Sequence, residues 1–180
     1  MSELSEFRTA KDGFFARDHH APLTRKQQRA FPGLAYFDEA PDLAFELAPA
    51  LFDDPERVAM QTSTGDVAVY LRWARVRFAG GGREASLTIF RDEESGGLFL
   101  PFRDATSGQE SYGAGRYLEV HPLPDGRLLV DFNYAYNPYC AFNDLYSCPI
   151  PPAENCLQVP IRAGERSYPG EHAEAHRSAG

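Results

Sequence analysis

Residues 67–91 read VAVYLRWARVRFAGGGREASLTIFR, and this stretch decides the fold. Apolar and polar residues alternate along it, but the alternation changes phase around Arg72 and Trp73. A regular strand keeps one face throughout, so the change of phase predicts a bulge or bend. The three glycines at 80–82 predict a turn, and the alternation over 85–89 predicts the return strand of a hairpin.

Shorter runs of the same kind surround this hairpin. Pro124-Asp125-Gly126 is a strong turn signal between two of them, and Pro160 indicates an edge position for the last. The further predicted strands lie at 43–47, 57–62, 98–102, 117–120, 127–132 and 157–161.

Two helices precede the strands. Aromatic residues at helical spacing predict one helix over 3–17, and Thr24 with Gln27 is a capping-box pattern that opens a shorter one. Seven to nine short strands without βαβ alternation favour a mainly β fold near the α+β margin, an antiparallel partly open β-barrel or sandwich. We expect one β-rich domain over 1–166, with a helical arm at 1–31, and a flexible polar tail at 167–180.

Composition excludes several classes of partner. The 180 residues carry a net charge of −8, whereas a nucleic-acid binder needs a concentrated basic face. No apolar run approaches the roughly 18–20 residues that span a bilayer, and the N-terminal residues lack the layout of a secretory signal. We therefore expect a cytoplasmic protein without nucleic-acid or membrane partners.

Residues 103–117 place charged and polar side chains between two apolar strands. Carboxylates beside arginines shift one another's pKa values, as is common in functional sites. The alternative is a loop with capped turns and surface ion pairs that contribute little. The candidate acid or base is Asp104 or Glu110, and the candidate ligand-binding residues are Arg103, Thr106, Tyr112 and Arg116. Arg103 and Arg116 would hold a small anionic or polar ligand.

Residues 133–156 read NYAYNPYCAFNDLYSCPIPPAENC, without a regular period but with five aromatic side chains. Long ordered loops are usually lids or binding loops, so we expect this one to cover the end of the barrel. Asn133, Tyr136 and Asn137 would orient the ligand there. A structural plug is the alternative.

All three cysteines lie in this loop, at Cys140, Cys148 and Cys156. The C-x7-C-x7-C spacing does not match a structural zinc site, so we predict no metal. A Cys140–Cys148 disulfide is geometrically possible but disfavoured in a reducing cytosol, and buried inert thiols are the simplest interpretation. Cys140 is the candidate nucleophile if a base lies within reach. Phosphate-loop and dinucleotide motifs are missing from the sequence, so no cofactor is implied.

The segments FRDATSGQESYGAGRYLEV (102–120) and DFNYAYNPYCAFNDLYSCPIPPAENCLQVPIRAGE (131–165) resemble the family called domain of unknown function 1684. The resemblance covers roughly residues 6–166 and implies no activity. Cys156 stands where the family pattern usually has a basic residue, which argues against a shared role for this thiol. The matched positions are Arg103, Asp104, Thr106, Tyr112, Gly113, Gly115, Arg116, Asp131, Asn133, Tyr136, Asn137, Pro138, Cys140, Cys148, Pro149 and Asn155.

Two main functions remain open, beside a thiol or metal protein built on Cys140 and Cys148, which requires their sulfurs to lie within about 4 Å of each other or of a histidine. The first is a small-molecule-binding β-barrel whose polar pocket is covered by residues 133–156, and the sequence does not decide whether it is an enzyme. The second is a non-catalytic structural or protein-interaction module. If segment 133–156 is a docking surface, we expect an exposed apolar patch around Tyr134, Tyr139 and Phe142. If it is a structural plug, we expect those rings to be buried. The oligomeric state is not specified by the sequence.

Overall fold

The computed structural model, which describes residues 2–174, contains two helices and nine strands in two antiparallel sheets. The helices are α1 (Glu3–Arg17) and α2 (Arg25–Arg29). The strands are β1 (Ala44–Leu47), β2 (Ala50–Leu51), β3 (Arg57–Gln61), β4 (Val67–Gly80), β5 (Arg83–Arg91), β6 (Leu98–Phe102), β7 (Arg116–Glu119), β8 (His121–Pro122) and β9 (Leu128–Asp131).

The larger sheet is built on the hairpin that the sequence predicts. Its strand order is β2-β4-β5-β6-β7, and β3 pairs with β4 as well. The register of β4 against β5 shifts between Arg72 and Ala74, which confirms the bulge. The smaller sheet has the order β1-β9-β8. Within residues 2–174 the strands do not close a barrel, so the mainly β, open architecture is confirmed.

The main core lies between the sheets and is filled by the inward side chains of β4 to β7 and β9, among them Val76, Ile89, Leu100 and Val130. A second cluster joins α1 to residues 141–142. The capping box of Thr24 and Gln27 is present at α2, as predicted. Neither helix combines the length and apolar character needed to cross a membrane.

The predicted strand at 157–161 is wrong. Val159 and Ile161 are buried in the main core, so the alternation correctly reports which side chains point inward. The backbone, however, bonds to side chains and loops: the Ile161 amide donates to Asp104 Oδ2 (2.6 Å) and its carbonyl accepts from Arg116 Nη2 (2.8 Å). Pro160 has no N–H with which to continue a ladder. In this segment the alternation therefore predicts which side chains are buried, but it does not predict that the backbone pairs with another strand.

Residues 167–174 are the described part of the segment in which the sequence predicts a flexible tail. Tyr168 packs edge to face on Phe142, with ring centroids 5.0 Å apart. The Ala173 backbone exchanges hydrogen bonds with Phe142 and Asp144. These contacts place the segment against the second cluster. Residues 175–180, with His176, lie outside the described residues.

Candidate functional site

A groove of about 870 Å³ lies between α1, the strands β7 to β9 and the irregular segment 133–156. Its volume falls in the range of roughly 300–1,000 Å³ that is typical of small-ligand sites. Rings dominate its lining. The aromatic residues are Phe7, Phe14, Phe15, Tyr117, Tyr134, Tyr136, Tyr139 and Tyr146.

The α1 helix forms one wall of the groove. One aromatic side chain near its C-terminal end is buried, whereas the one near its N-terminal end is exposed. Phe15 is buried and packs edge to face on Phe142, with centroids 5.0 Å apart. Phe7, near the other end, is 43% exposed although its ring lies 5.0 Å from that of Tyr134. A large apolar ring that stays exposed inside a concave surface is available for a ligand.

Lys11 brings a positive charge to the groove, and that charge is already balanced. Its ammonium group forms an ion pair with the buried carboxylate of Glu165. The same Nζ lies 5.0 Å from the ring centroid of Tyr136 and 5.7 Å from that of Phe15, within cation–π range. The groove thus already contains one ammonium group held by rings and a carboxylate. The other basic side chain in the lining is His121.

Three further carboxylates line the groove: Glu3, Glu119 and Asp131. Within residues 2–174 none of the three takes part in an ion pair. Burial, with the negative charges of Glu3 and Asp131, raises the pKa of Tyr134. Burial, with Glu119, raises the pKa of Tyr136 to about 12. The electrostatic potential in the groove is therefore negative, because within residues 2–174 no basic side chain pairs with these three carboxylates.

Arg116 and Asp104 lie elsewhere, in a buried clasp formed by these two side chains and the backbone of 161–165. Arg116 Nη1 donates to the carbonyls of Ala163 (2.5 Å) and Glu165 (3.1 Å). Its Nη2 donates to Ile161 O (2.8 Å) and lies 3.5 Å from Asp104 Oδ1. Burial lowers the pKa of Arg116, and Asp104 opposes that shift. The guanidinium is fully enclosed and binds the protein's own backbone.

The Asp104 carboxylate is used in the same way. It accepts hydrogen bonds from the Ile161 amide (2.6 Å) and from the Thr106 hydroxyl (2.9 and 3.0 Å). Gly164 continues the clasp at φ +78°, where a Cβ atom would lie 2.6 Å from Ala135 O. Only glycine fits that position without a shift of the backbone. These contacts hold residues 161–165 in place, while Arg116 Nε is buried without a hydrogen-bond partner among the described residues.

Two other charged candidates lie at the surface. Arg103 is exposed, and its backbone bonds to Asn155 and Leu157. Glu110 pairs with Arg162 (Nε to Oε1 3.1 Å), with both side chains partly exposed. The structure does not bring either of them to the groove.

Among the predicted site residues of segment 133–156, the two asparagines make structural hydrogen bonds and Tyr136 lines the groove. Asn133 exchanges two hydrogen bonds with the backbone of Ala40 (2.8 and 2.9 Å). Asn137 Nδ2 donates to Arg166 O (2.9 Å), while its Oδ1 is buried without a hydrogen bond. Both side-chain amides therefore bond segment 133–156 to the backbone of other parts of the same chain. Tyr136 alone of the ten predicted site residues lines the groove.

Tyr112 and Cys140 meet behind the groove wall. The Tyr112 hydroxyl lies 3.7 Å from Cys140 Sγ, and the Cys140 amide lies 3.3 Å from Cys148 Sγ. All three cysteines are free thiols: Cys140 and Cys148 are buried and Cys156 is exposed. Cys148 also lines the groove. The structure thus brings two of the predicted site residues, Tyr112 and Cys140, together with Cys148, the possible disulfide partner of Cys140 in the sequence.

The rings named in the docking alternative have different environments. Phe142 is fully buried, Tyr134 is half-buried and Tyr139 is 37% exposed. Phe142 acts as part of the core under α1, and the two tyrosines face the groove.

Sequence reasoning missed the contribution of α1 and of the three unpaired carboxylates. The helical spacing of the aromatic residues predicts the helix over 3–17, but it does not distinguish a ring that packs in a core from one that lines a groove. The three carboxylates come from separate elements and share no motif. Only the concentration of tyrosines after residue 133 indicated this surface.

Asp18, His19 and His20 are three possible metal ligands outside the groove, with ligand atoms within 4.8 Å of one another. They lie at the exposed turn after α1. Asp18 accepts a hydrogen bond from the His20 amide (2.8 Å), which closes the turn. This arrangement is explained by local capping.

Comparisons with known proteins place the chain in a family. Residues 29–166 match the family described as "Protein of unknown function (DUF1684)". The solution NMR structure of an uncharacterized protein from Haloarcula marismortui is 40% identical, with a TM-score of 0.69 over 91% of this chain and 92% of the other. Among curated proteins no match was found. The chain therefore belongs to the DUF1684 family of proteins of unknown function.

Proposed function

We propose that the protein binds a small organic cation with an aromatic or apolar body in the groove between α1 and segment 133–156. The observation that carries the proposal is the combination of eight aromatic rings with three carboxylates that form no ion pair with any basic side chain described by the structure. Rings and carboxylates together recognise ammonium groups, because the ring faces are negative and the carboxylates supply the counter-charge.

The charge of the groove decides between ligand classes. Its lysine is neutralised by Glu165, and the arginines expected to hold an anion are either enclosed in the clasp or exposed elsewhere. An anion in the groove would face Glu3, Glu119 and Asp131 without a free arginine. We therefore expect a cationic ligand in place of the anionic one that the sequence suggested.

Binding is a sufficient account of this site. The groove's titratable groups are five tyrosines, three carboxylates, Lys11, His121 and Cys148. The raised pKa values of Tyr134 and Tyr136 keep these two hydroxyls protonated. Tyrosine hydroxyls that keep their protons orient a ligand by hydrogen bonding. Their role in the proposal is to orient the body of the ligand while the carboxylates hold its charge.

The test is isothermal titration calorimetry with three probes of one shape: phenethylammonium, 2-phenylethanol and 3-phenylpropanoate. We expect the cation to bind about tenfold more tightly than the neutral probe, because an ammonium gains both ring and carboxylate contacts. The anion should bind most weakly. Equal affinity for all three would support a purely apolar groove, and preference for the anion would overturn the proposal.

A further inference from the structure

Cys140 and Cys148 stand side by side although the sequence separates them by seven residues. The Cys140 amide donates to Cys148 Sγ over 3.3 Å. The two residues are 5% and 8% exposed, and Cys148 reaches the groove lining. The pair is thus sheltered from bulk solvent but next to a surface that a small molecule can reach.

Hydrogen-bond donors converge on the Cys140 sulfur. The Tyr112 hydroxyl lies 3.7 Å from it, and the Cys148 thiol is a second side-chain donor to it. Tyr117 packs in the same cluster and donates its hydroxyl to Pro149 O, and Tyr136 and Tyr146 pack against the cluster. Burial raises the pKa values of Tyr112 and Tyr117, so both hydroxyls remain protonated.

This environment shifts the pKa values of the two thiols in opposite directions. The hydrogen bond from Cys148 lowers the pKa of Cys140 to about 6; burial opposes the shift and the Tyr112 hydroxyl reinforces it. The interaction with the Cys140 thiolate, together with burial, raises the pKa of Cys148. At neutral pH one sulfur is a nucleophilic thiolate and its neighbour keeps its proton, which is the arrangement of an exchange pair.

We propose that Cys140 and Cys148 form a thiol–disulfide exchange site, with Cys140 as nucleophile, Cys148 as resolving thiol and a small organic disulfide as oxidant. The Cys140 thiolate attacks one sulfur of the disulfide, forms a mixed disulfide and releases the first small thiolate. Cys148 then loses its proton to that thiolate and attacks Cys140 Sγ, which releases the second. The protein dithiol is oxidised, and the small disulfide is reduced to two thiols.

The test uses the full chain with Cys156→Ser, which removes the exposed thiol. Bis(2-hydroxyethyl) disulfide at pH 7.5 should convert the protein to a species lighter by two hydrogen atoms, with release of two equivalents of 2-mercaptoethanol. In the same background, Cys148→Ser should accumulate a mixed disulfide on Cys140. Cys140→Ser should react about tenfold or more slowly, because the remaining thiol is protonated.

A second variant separates this role from a structural one. Tyr112→Phe keeps the ring and removes one donor, so the pH midpoint of the Cys140 alkylation rate should move upward while the far-UV circular dichroism spectrum stays the same. Failure of the folded protein to form the Cys140–Cys148 bond would overturn the proposal. So would equal reactivity of Cys140→Ser and Cys148→Ser. The ligand-binding proposal would be unaffected by either result.

Discussion

The clasp and the groove are both concentrations of polar and aromatic groups in an apolar β framework, but they use those groups in opposite ways. In the clasp, Arg116 and Asp104 are fully buried and bond to the backbone of 161–165. In the groove, Glu3, Glu119 and Asp131 have no basic partner among residues 2–174, and the Phe7 and Tyr139 rings are exposed. The Arg116 Nη groups and the Asp104 carboxylate are hydrogen-bonded within the protein, whereas the carboxylates of Glu3 and Glu119 form no ion pair within residues 2–174.

The difference shows how a buried ion pair should be interpreted. Charged groups withdrawn from water require nearly complete pairing, so a satisfied pair indicates architecture more than a binding site. Groups that remain unpaired in a concave surface are free to contact a ligand. Each variant below is chosen to separate these two interpretations.

The largest effect should follow from breaking the clasp. In Arg116→Met the Asp104 carboxylate and three carbonyls lose their donor inside the protein, and we expect the free energy of unfolding to fall by about 3–5 kcal/mol. Urea denaturation measures it. Arg103→Met is the matched control, since Arg103 is exposed and should change stability by no more than about 0.5 kcal/mol. Similar losses in the two variants would contradict the structural role of Arg116.

Gly164→Ala should give the next largest loss. A Cβ atom there would lie 2.6 Å from Ala135 O and 2.8 Å from Phe132 O, at φ +78°. We expect a loss of about 2 kcal/mol or more, from the clash together with the unfavourable φ. Gly126→Ala is the control because its φ is +88° and no atom lies within 4 Å of the added carbon. It should lose only about 1 kcal/mol.

Glu119→Gln should affect binding without affecting stability. Glu119 is exposed on the groove, so the free energy of unfolding should change by no more than about 0.5 kcal/mol. Removing one of three counter-charges should weaken phenethylammonium binding about threefold and leave 2-phenylethanol binding unchanged. Calorimetry of both probes checks this. An equal loss for the two probes would mean that Glu119 acts through shape and not through charge.

The smallest effect should be a pH dependence at His172. Burial works against its charged form, but hydrogen bonds to Ala141 O and to the Asp144 carboxylate raise its pKa overall. A raised folded-state pKa stabilises the folded protein below about pH 6.5, and this contribution is lost as the pH rises through the raised value. His172→Gln should therefore destabilise by roughly a few tenths of a kcal/mol more at pH 5.5 than at pH 8.5. The reverse trend would contradict the assigned contacts.

Local sequence patterns predict most of the framework, because strands, the bulge at Arg72 and the α2 capping box depend on neighbouring residues. The predicted strand at 157–161 fails because the partner of Ile161 is the distant side chain of Asp104. The site is harder to predict for the same reason. Phe7, Glu119 and Asp131 come from three separate elements, and only the tertiary structure brings them together.

The most direct test of the account is a ¹H–¹⁵N NMR titration of the protein with phenethylammonium. We expect saturable shifts at the amides of Phe7, Lys11, Tyr134, Tyr136 and Tyr139. The amides of Asp104, Arg116 and Ile161 should stay unchanged, because these residues are buried and do not line the groove. Shifts confined to the clasp, or no saturable shift in the groove, would contradict the assignment of the groove as the binding site.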